Sequence, residues 1–286
     1  MSEKKQEGCP SSGGCSGGNA AMAMQDKLIE SSLNKIKNKL VVMSGKGGVG
    51  KSSIAANIAV GLARRGHPTG LLDVDLHGPS ISCIMGIKDM LDVTPDNFII
   101  PWKYDDNLKV VSMQALMPDK DQAVIWRGPA KHGVIRQFIA DVEWGDLDFI
   151  VIDSPPGTGD EPLTVAQVVT GARAVIVATP QEVALADVRK SISFCATVGL
   201  KVEGLIENMG SFACPHCHKS IELFPAGGGQ FTAKKMGIPY LGSLPFDPNV
   251  VRACDQGLPV TNFKADSPFV TALDAILDKI EKNAVA

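Results

Sequence analysis

The run Gly45-Lys46-Gly47-Gly48-Val49-Gly50-Lys51-Ser52 places four glycines among two lysines and a hydroxyl, the residue types that bind phosphate. Glycines let a loop curl so that its backbone N–H groups point inward, and a helix starting at its end adds the positive pole of its dipole. Lys51 is expected to reach the β- and γ-phosphates and Ser52 to ligate Mg²⁺, with Ser53 continuing the contact. This reads as nucleotide binding. A dinucleotide fingerprint is the weaker rival, since it would lack the terminal Lys-Ser and would want an acidic residue on the ribose.

Carboxylates follow at the ends of apolar runs, where open α/β sheets place their ligands. Asp73-Val74-Asp75 closes one such run, and a carboxylate there can orient an attacking water. Asp153 closes another and is placed to hold Mg²⁺, with the Pro-Gly segment behind it able to sense a γ-phosphate. Asn208 has both a donor and an acceptor and suits an adenine edge. Any one of these aspartates alone would read as a cap or turn residue; their ordered recurrence after strands points to one site.

Cys214 and Cys217 form a C-x-x-C knuckle that can bring two thiolates to one metal or cluster. A stable site wants four ligands, and two subunits would supply four thiolates, the set that holds [4Fe-4S]. Zinc held by Cys214, Cys217 and His216 or His218 is the rival, as is a redox pair, which would want a strand-to-helix setting. Cys83, Cys195 and Cys254 lie in apolar stretches and are expected in the core.

These residues need a scaffold. Short β-branched runs at 40–43, 71–74, 149–152, 174–177 and 202–206 alternate with helical stretches, which indicates a parallel sheet covered on both faces. The expectation is a three-layer α/β/α fold with a mainly parallel central sheet. Residues 1–23, rich in Gly and Ser and holding Cys9 and Cys15, read as a flexible tail; 24–286 read as one domain with the C-x-x-C insertion at 212–218. An amphipathic helix is expected from Met24 to Lys39, a helix over Ser52–Arg64, and a C-terminal helix from Ser267 to Lys282 behind Asp266. Phe98-Ile99-Ile100 and Val110-Val111 suggest two further strands.

The 286 residues carry 28 Lys+Arg against 31 Asp+Glu, so no broad basic face for nucleic acid is expected. No apolar stretch has the length of a membrane span and no basic-then-apolar start marks a secretory signal, so a cytoplasmic protein is expected. Seven cysteines, an odd number, fit a disulfide framework poorly.

Lys46, second in the loop, matches the deviant Walker A pattern K-G-G-x-G-K-[ST] and resembles the dimeric ATPases that include the nitrogenase iron protein and the septum-site ATPases. The resemblance sharpens over DVDLHGPS (73–80), WRGP (126–129), the run from Trp144 to Asp160, ENM (207–209) and CPHC (214–217). Together these are similar to the Mrp/Nbp35/ApbC family of iron–sulfur cluster carrier P-loop ATPases, from about Leu40 to about Pro259.

The resemblance implies an ATP-hydrolysing homodimer with Lys46 reaching across the interface, Asp75 as the switch I aspartate, and a [4Fe-4S] cluster shared between two Cys214/Cys217 pairs. It implies Pro245 and Asp247, in Leu244-Pro245-Phe246-Asp247, near the base beside Asn208. Its function would be ATP-dependent assembly of a labile cluster and transfer to apo-proteins, with cluster assembly machinery as a further partner. Cys9 and Cys15 fall short of the four-cysteine tail motif of eukaryotic-type carriers, and, with about 40 residues before the loop, the small domain that precedes the core in many bacterial relatives is not expected. The alternative is a regulatory or partner-positioning ATPase with a structural zinc clasp. A metal-chaperone GTPase is disfavoured, because Glu207-Asn208-Met209-Gly210 is not an N-K-x-D guanine reader.

Overall fold

The computed structural model describes residues 16–76, 78–117, 128–214, 216–217, 219–222, 224, 227–259 and 267–285. Cys9, Cys15, His77, Trp126, Arg127, Pro215, His218 and Asp266 lie outside them.

The first strand, β1 (Ile36–Met43), is the axis of the sheet. Its second half, Leu40-Val41-Val42-Met43, is fully buried, as a strand covered on both faces must be. After it come α2 (Lys51–Arg64), β2 (Thr69–Asp73), the short α3 (Ile81–Met85), β3 (Trp102–Lys103), β4 (Leu108–Ser112) and a 3₁₀ turn over Met113–Leu116. The second half runs α4 (Gly128–Ala140), β5 (Leu147–Asp153), α5 (Asp160–Val168), β6 (Arg173–Ala178), α6 (Glu182–Val198) and β7 (Lys201–Ala213). It closes with β8 (Ser220–Ile221), α7 (Gly228–Met236), β9 (Tyr240–Phe246), α8 (Pro248–Asp255) and α9 (Pro268–Val285). A first helix, α1 (Ser16–Leu33), precedes β1.

The strand order is β3-β4-β2-β5-β1-β6-β7-β8, with β9 also paired to β7. Every pairing is parallel except β3 with β4 and β7 with β8. Helices α2, α3, α8 and α9 touch one another on one face, and α1, α4, α5, α6 and α7 succeed one another on the other. This is the expected three-layer α/β/α arrangement. The parallel strands bring the ends of β1, β2, β5, β6 and β7 to one edge, and there the polar residues gather.

Four local expectations are corrected. The leading helix does not run from Met24 to Lys39: it spans Ser16–Leu33, beginning inside the segment expected to be a tail. Ile36–Lys39 instead open β1, because Ile36 is buried and the segment pairs with Leu147–Ile150 of β5, bonding that a helix would forfeit. Phe98–Ile100 form no strand of their own; Ile99 makes only single bridges to Val93 and Val142. The strand expected over 202–206 runs on to Ala213, so Asn208 sits within β7 rather than after it, with Met209 at φ 61 and a register shift where the strand bulges. Cys83 is exposed rather than in the core, whereas Cys195 and Cys254 are buried as expected. The C-terminal helix matches its expectation to within three residues at its end.

Candidate functional site

The loop after β1 holds its shape through bonds that leave its inner face free. Ser44 Oγ donates to Lys46 O at 2.9 Å, and Gly157 N–H donates to Ser44 O at 2.8 Å, stitching the Pro-Gly segment after β5 to the loop. Gly50 precedes α2 at φ 83, and a Cβ there would lie 2.4 Å from Asn208 Nδ2. Only glycine fits both the left-handed backbone and the contact. Gly47, Gly48, Gly50, Lys51, Ser52, Ser53 and Asp75 line a cavity of about 340 Å³.

Inside it, Lys51 Nζ lies 2.6 Å from Asp153 Oδ1, 3.3 Å from Ser52 Oγ and 4.0 Å from Asp75 Oδ2. Lys51 is 7% exposed and Asp153 0%, so this is a desolvated ion pair. Burial pushes the Asp153 carboxyl up, and Lys51 and the Ser52 hydroxyl pull it back. Asp153 Oδ2 is buried with no hydrogen-bond partner among the described residues. A buried carboxylate oxygen left bare beside a serine hydroxyl is a fitting donor set for Mg²⁺, which prefers carboxylate and substrate oxygens.

Asp73, paired in register with Asp153 on the neighbouring strand, organises the other wall. Its carboxylate accepts from Asp75 N–H at 3.1 Å, Ile81 N–H at 3.2 Å and Ser112 Oγ at 3.0 Å. Burial, and then the Asp153 charge, raise its carboxyl to about 7. Asp75 accepts from Gly78 N–H at 3.1 Å and faces Lys51.

Lys46 extends away from this cluster, its ammonium 3.3 Å from Gln181 Oε1 at the start of α6. Asn208 Nδ2 donates to Val49 O at 2.9 Å, tying β7 to the loop after β1. Pro245 and Asp247 line a second cavity of about 320 Å³ with Phe212, Cys214, Arg252 and Phe269. Asp247 also caps α8 through Asn249 N–H at 2.8 Å and accepts from Ser267 Oγ at 3.1 Å.

The C-x-x-C segment turns β7 back into β8, with Phe212 paired to Ile221 and Cys214 N–H bonded to Lys219 O at 3.0 Å. It is a hairpin tip, not the strand-to-helix setting of a redox pair. Cys214 is half-buried and Cys217 exposed. The N–H groups of Cys217 and His216 and the Cys217 side chain hold the Cys214 thiol below its ordinary range. Among the described residues no three His, Cys, Asp or Glu side chains cluster to hold a metal ion.

The structure thus brings Lys51, Ser52, Ser53 and Asp75 into one cavity, with Asp153 paired to Lys51 behind it and the Asn208 amide against its loop; Cys214, Pro245 and Asp247 share a second cavity. Three contributors were missing from the sequence reading. Asp73 was read only as part of the motif holding Asp75. Gln181 gave no signal. Glu207 is a buried carboxylate that accepts from Gly229 N–H at 2.7 Å and Ser243 Oγ at 3.1 Å, fastening α7 and β9 to β7 on the strand face opposite Asn208; an acidic residue inside a strand beside Asn208 was its signal.

The sequence matches the profile of the ParA family described as NUBPL iron-transfer P-loop NTPase over residues 35–281. It is 41% identical over 280 residues to an iron-sulfur cluster carrier protein of Methanocaldococcus jannaschii, covering 97% of both chains. It is 41% identical over 279 residues to a protein of the same description from Methanococcus maripaludis, covering 96% of both. A nucleotide-binding protein of Archaeoglobus fulgidus, solved with ADP and found to contain cobalt, superposes with TM-score 0.73 at 38% identity, over 84% of this chain and 94% of that one. The cell division ATPase MinD of Pyrococcus furiosus shares the fold with TM-score 0.64 at 24% identity, over 86% of this chain and 99% of that one.

Proposed function

The chain belongs to the NUBPL iron-transfer P-loop NTPases, and from that premise we propose that it is an ATP-hydrolysing carrier of a labile [4Fe-4S] cluster. The observation that carries this reading is the continuity of β7. One strand bears Asn208, bonded to the phosphate loop through Val49 O, and ends at the hairpin that presents Cys214 and Cys217. A displacement at the nucleotide loop is therefore transmitted along backbone to the thiols.

In this account the phosphates take the Lys51 ammonium from Asp153, and the freed Asp153 carboxylate and the Ser52 hydroxyl are the residues that would hold Mg²⁺. Bound there, the ion would neutralise charge on the β- and γ-phosphate oxygens. Asp75, fixed by Gly78 N–H and the Asp73 scaffold, orients the attacking water. Lys46 leaves Gln181 and reaches the nucleotide of a second subunit, supplying the charge that an arginine finger supplies elsewhere. The base occupies the cavity lined by Pro245 and Asp247, beside Asn208.

Two hairpins meeting in the homodimer offer four thiolates, Cys214 and Cys217 from each copy, for the cargo cluster. Hydrolysis then biases the hairpins between holding and releasing it to apo iron–sulfur proteins, in the cytoplasm. The described helices include none long and apolar enough to cross a membrane. The test is transfer: the anaerobically loaded protein is mixed with an apo-enzyme that needs [4Fe-4S], and the regain of that enzyme's activity is followed. Regain that accelerates with ATP supports the proposal; no regain with a fully loaded donor removes the carrier function.

A further inference from the structure

Two cysteines outside the hairpin lie on helices, α3 and α8, that touch beside the nucleotide loop. Gly86 N–H, at the end of α3, donates to Cys83 O at 3.1 Å, and Gly257 N–H, just past α8, donates to Cys254 O at 3.0 Å. The two glycines touch backbone to backbone: a Cβ on Gly257 would lie 2.5 Å from Gly86 Cα and 3.5 Å from Cys83 O. Both have φ near 70°, at 73° and 71°, so glycine alone permits the turn and the contact. Each cysteine stands three residues before its glycine at this crossing, near the C-terminal end of its helix.

Their environments differ in a useful way. Cys83 is exposed, open to a reagent in solution. Cys254 is buried, with Sγ 3.3 Å from Ser53 Oγ in α2. Burial raises its thiol, the Ser53 hydroxyl pulls it back, and Asp255 and then Cys83 raise it further. Ser80 and Ile84, on either side of Cys83, line the phosphate cavity, and Ile81 N–H donates to Asp73. A bond between α3 and α8 would therefore fasten the segment that carries Asp75 toward the nucleotide.

We propose that Cys83 and Cys254 form a peroxide-sensitive dithiol that closes to a disulfide, pins α3 to α8 and slows nucleotide turnover. The Cys83 thiolate attacks one oxygen of hydrogen peroxide, the O–O bond breaks, and hydroxide leaves as water with the proton Cys83 released. The Cys254 sulfur then attacks the resulting sulfenic sulfur; the S–O bond breaks, and the departing hydroxide takes the Cys254 proton as a second water. Two thiols are oxidised and one peroxide is reduced, and a dithiol reductant reverses the change. The effect on turnover rests on the ATPase reading above; formation of the bond does not.

The experiment uses the full chain, reduced, freed of reductant and free of cluster. After brief exposure to hydrogen peroxide it is mapped by mass spectrometry of non-reduced peptides, and phosphate release from ATP is measured before and after. The expected result is a Cys83–Cys254 linked peptide, at least a threefold loss of turnover regained with dithiothreitol, and no such loss in Cys83→Ser. Absence of the linked peptide overturns the proposal, as does a link without loss of turnover, or an equal loss in Cys83→Ser. If the reduced protein releases no phosphate from ATP, the ATPase reading fails separately, and affinity for a fluorescent ADP analogue carries the same comparison.

Discussion

The ammonium of Lys51 and the carboxylate of Asp153 close into a buried ion pair at 2.6 Å, across the space where phosphates and a metal ion would meet. In the proposed function each group is held by the other until a ligand exchanges partners, phosphate oxygens for the lysine and a divalent cation for the aspartate. The pair keeps a desolvated site from holding uncompensated charge.

Removing one partner should therefore cost stability as well as binding. Lys51→Ala leaves Asp153 and Asp75 without their cation and should lower the unfolding free energy by about 3 kcal/mol at neutral pH. It should also abolish ATP binding. Denaturant unfolding across pH checks the first effect: the deficit should shrink as acid protonates Asp153, whose carboxyl burial raises, and a deficit independent of pH would contradict the ion-pair account.

Lys46 and Asp75 are assigned to different subunits of one site, which a mixing experiment can read. Lys46→Ala and Asp75→Ala should each bind nucleotide and hydrolyse it at least about 100-fold more slowly. Mixed, they should regain turnover, because a mixed dimer has one site with Asp75 in place and Lys46 supplied by the other copy. No regain, with mixed dimers shown to form, would mean that Lys46 acts on its own chain's nucleotide.

The two thiols of contrasting surroundings should titrate apart. Backbone N–H groups stabilise the Cys214 thiolate, whereas burial disfavours that of Cys254. Alkylation of the cluster-free protein should label Cys214 with a midpoint below the ordinary thiol range of about 8.5, and Cys254 more slowly and with a higher midpoint. Peptide-resolved alkylation against pH measures both, and coincident profiles would refute the assignment.

Asp73 gives the folded state a pH signature. Its carboxyl is raised to about 7 when folded and returns to an ordinary acidic value when unfolded. Between those values the folded chain holds the extra proton, so this residue's contribution to stability is present at low pH and falls as pH rises towards 7. The slope is at most about 1.4 kcal/mol per pH unit. The stability of Asp73→Asn relative to wild type should therefore increase from pH 5 to pH 8 in denaturant unfolding, and a flat difference would count against the raised carboxyl.

The site was more legible than its supports. Gly45 to Ser52 and Asp153 announce themselves because phosphate and metal binding demand particular residue types at particular spacing, and strand ends must carry them. Ile36–Lys39 misled because their polar members suit a helix equally; pairing with Leu147–Ile150, a partner over a hundred residues away, decides for strand. Phe98–Ile100 misled for the converse reason, an apolar run with only bridges to pair with. Gln181 acts through a tertiary contact with Lys46 that no local pattern encodes; Glu207 was signalled by its place in the strand beside Asn208, though its partner Gly229 was not. Cys83 sits in an apolar stretch, but α3 has five residues and is too short to hide every side.

The central claim is a cluster held between two copies of the hairpin. Anaerobic reconstitution with iron and sulfide, followed by metal analysis and the mass of the intact species, tests it on wild type and on Cys214→Ser/Cys217→Ser. The account predicts about four irons per dimer in the wild type and none in the double variant. A colourless protein with about one zinc for each hairpin, and no iron, would contradict it and leave a nucleotide-switched module with a structural zinc clasp.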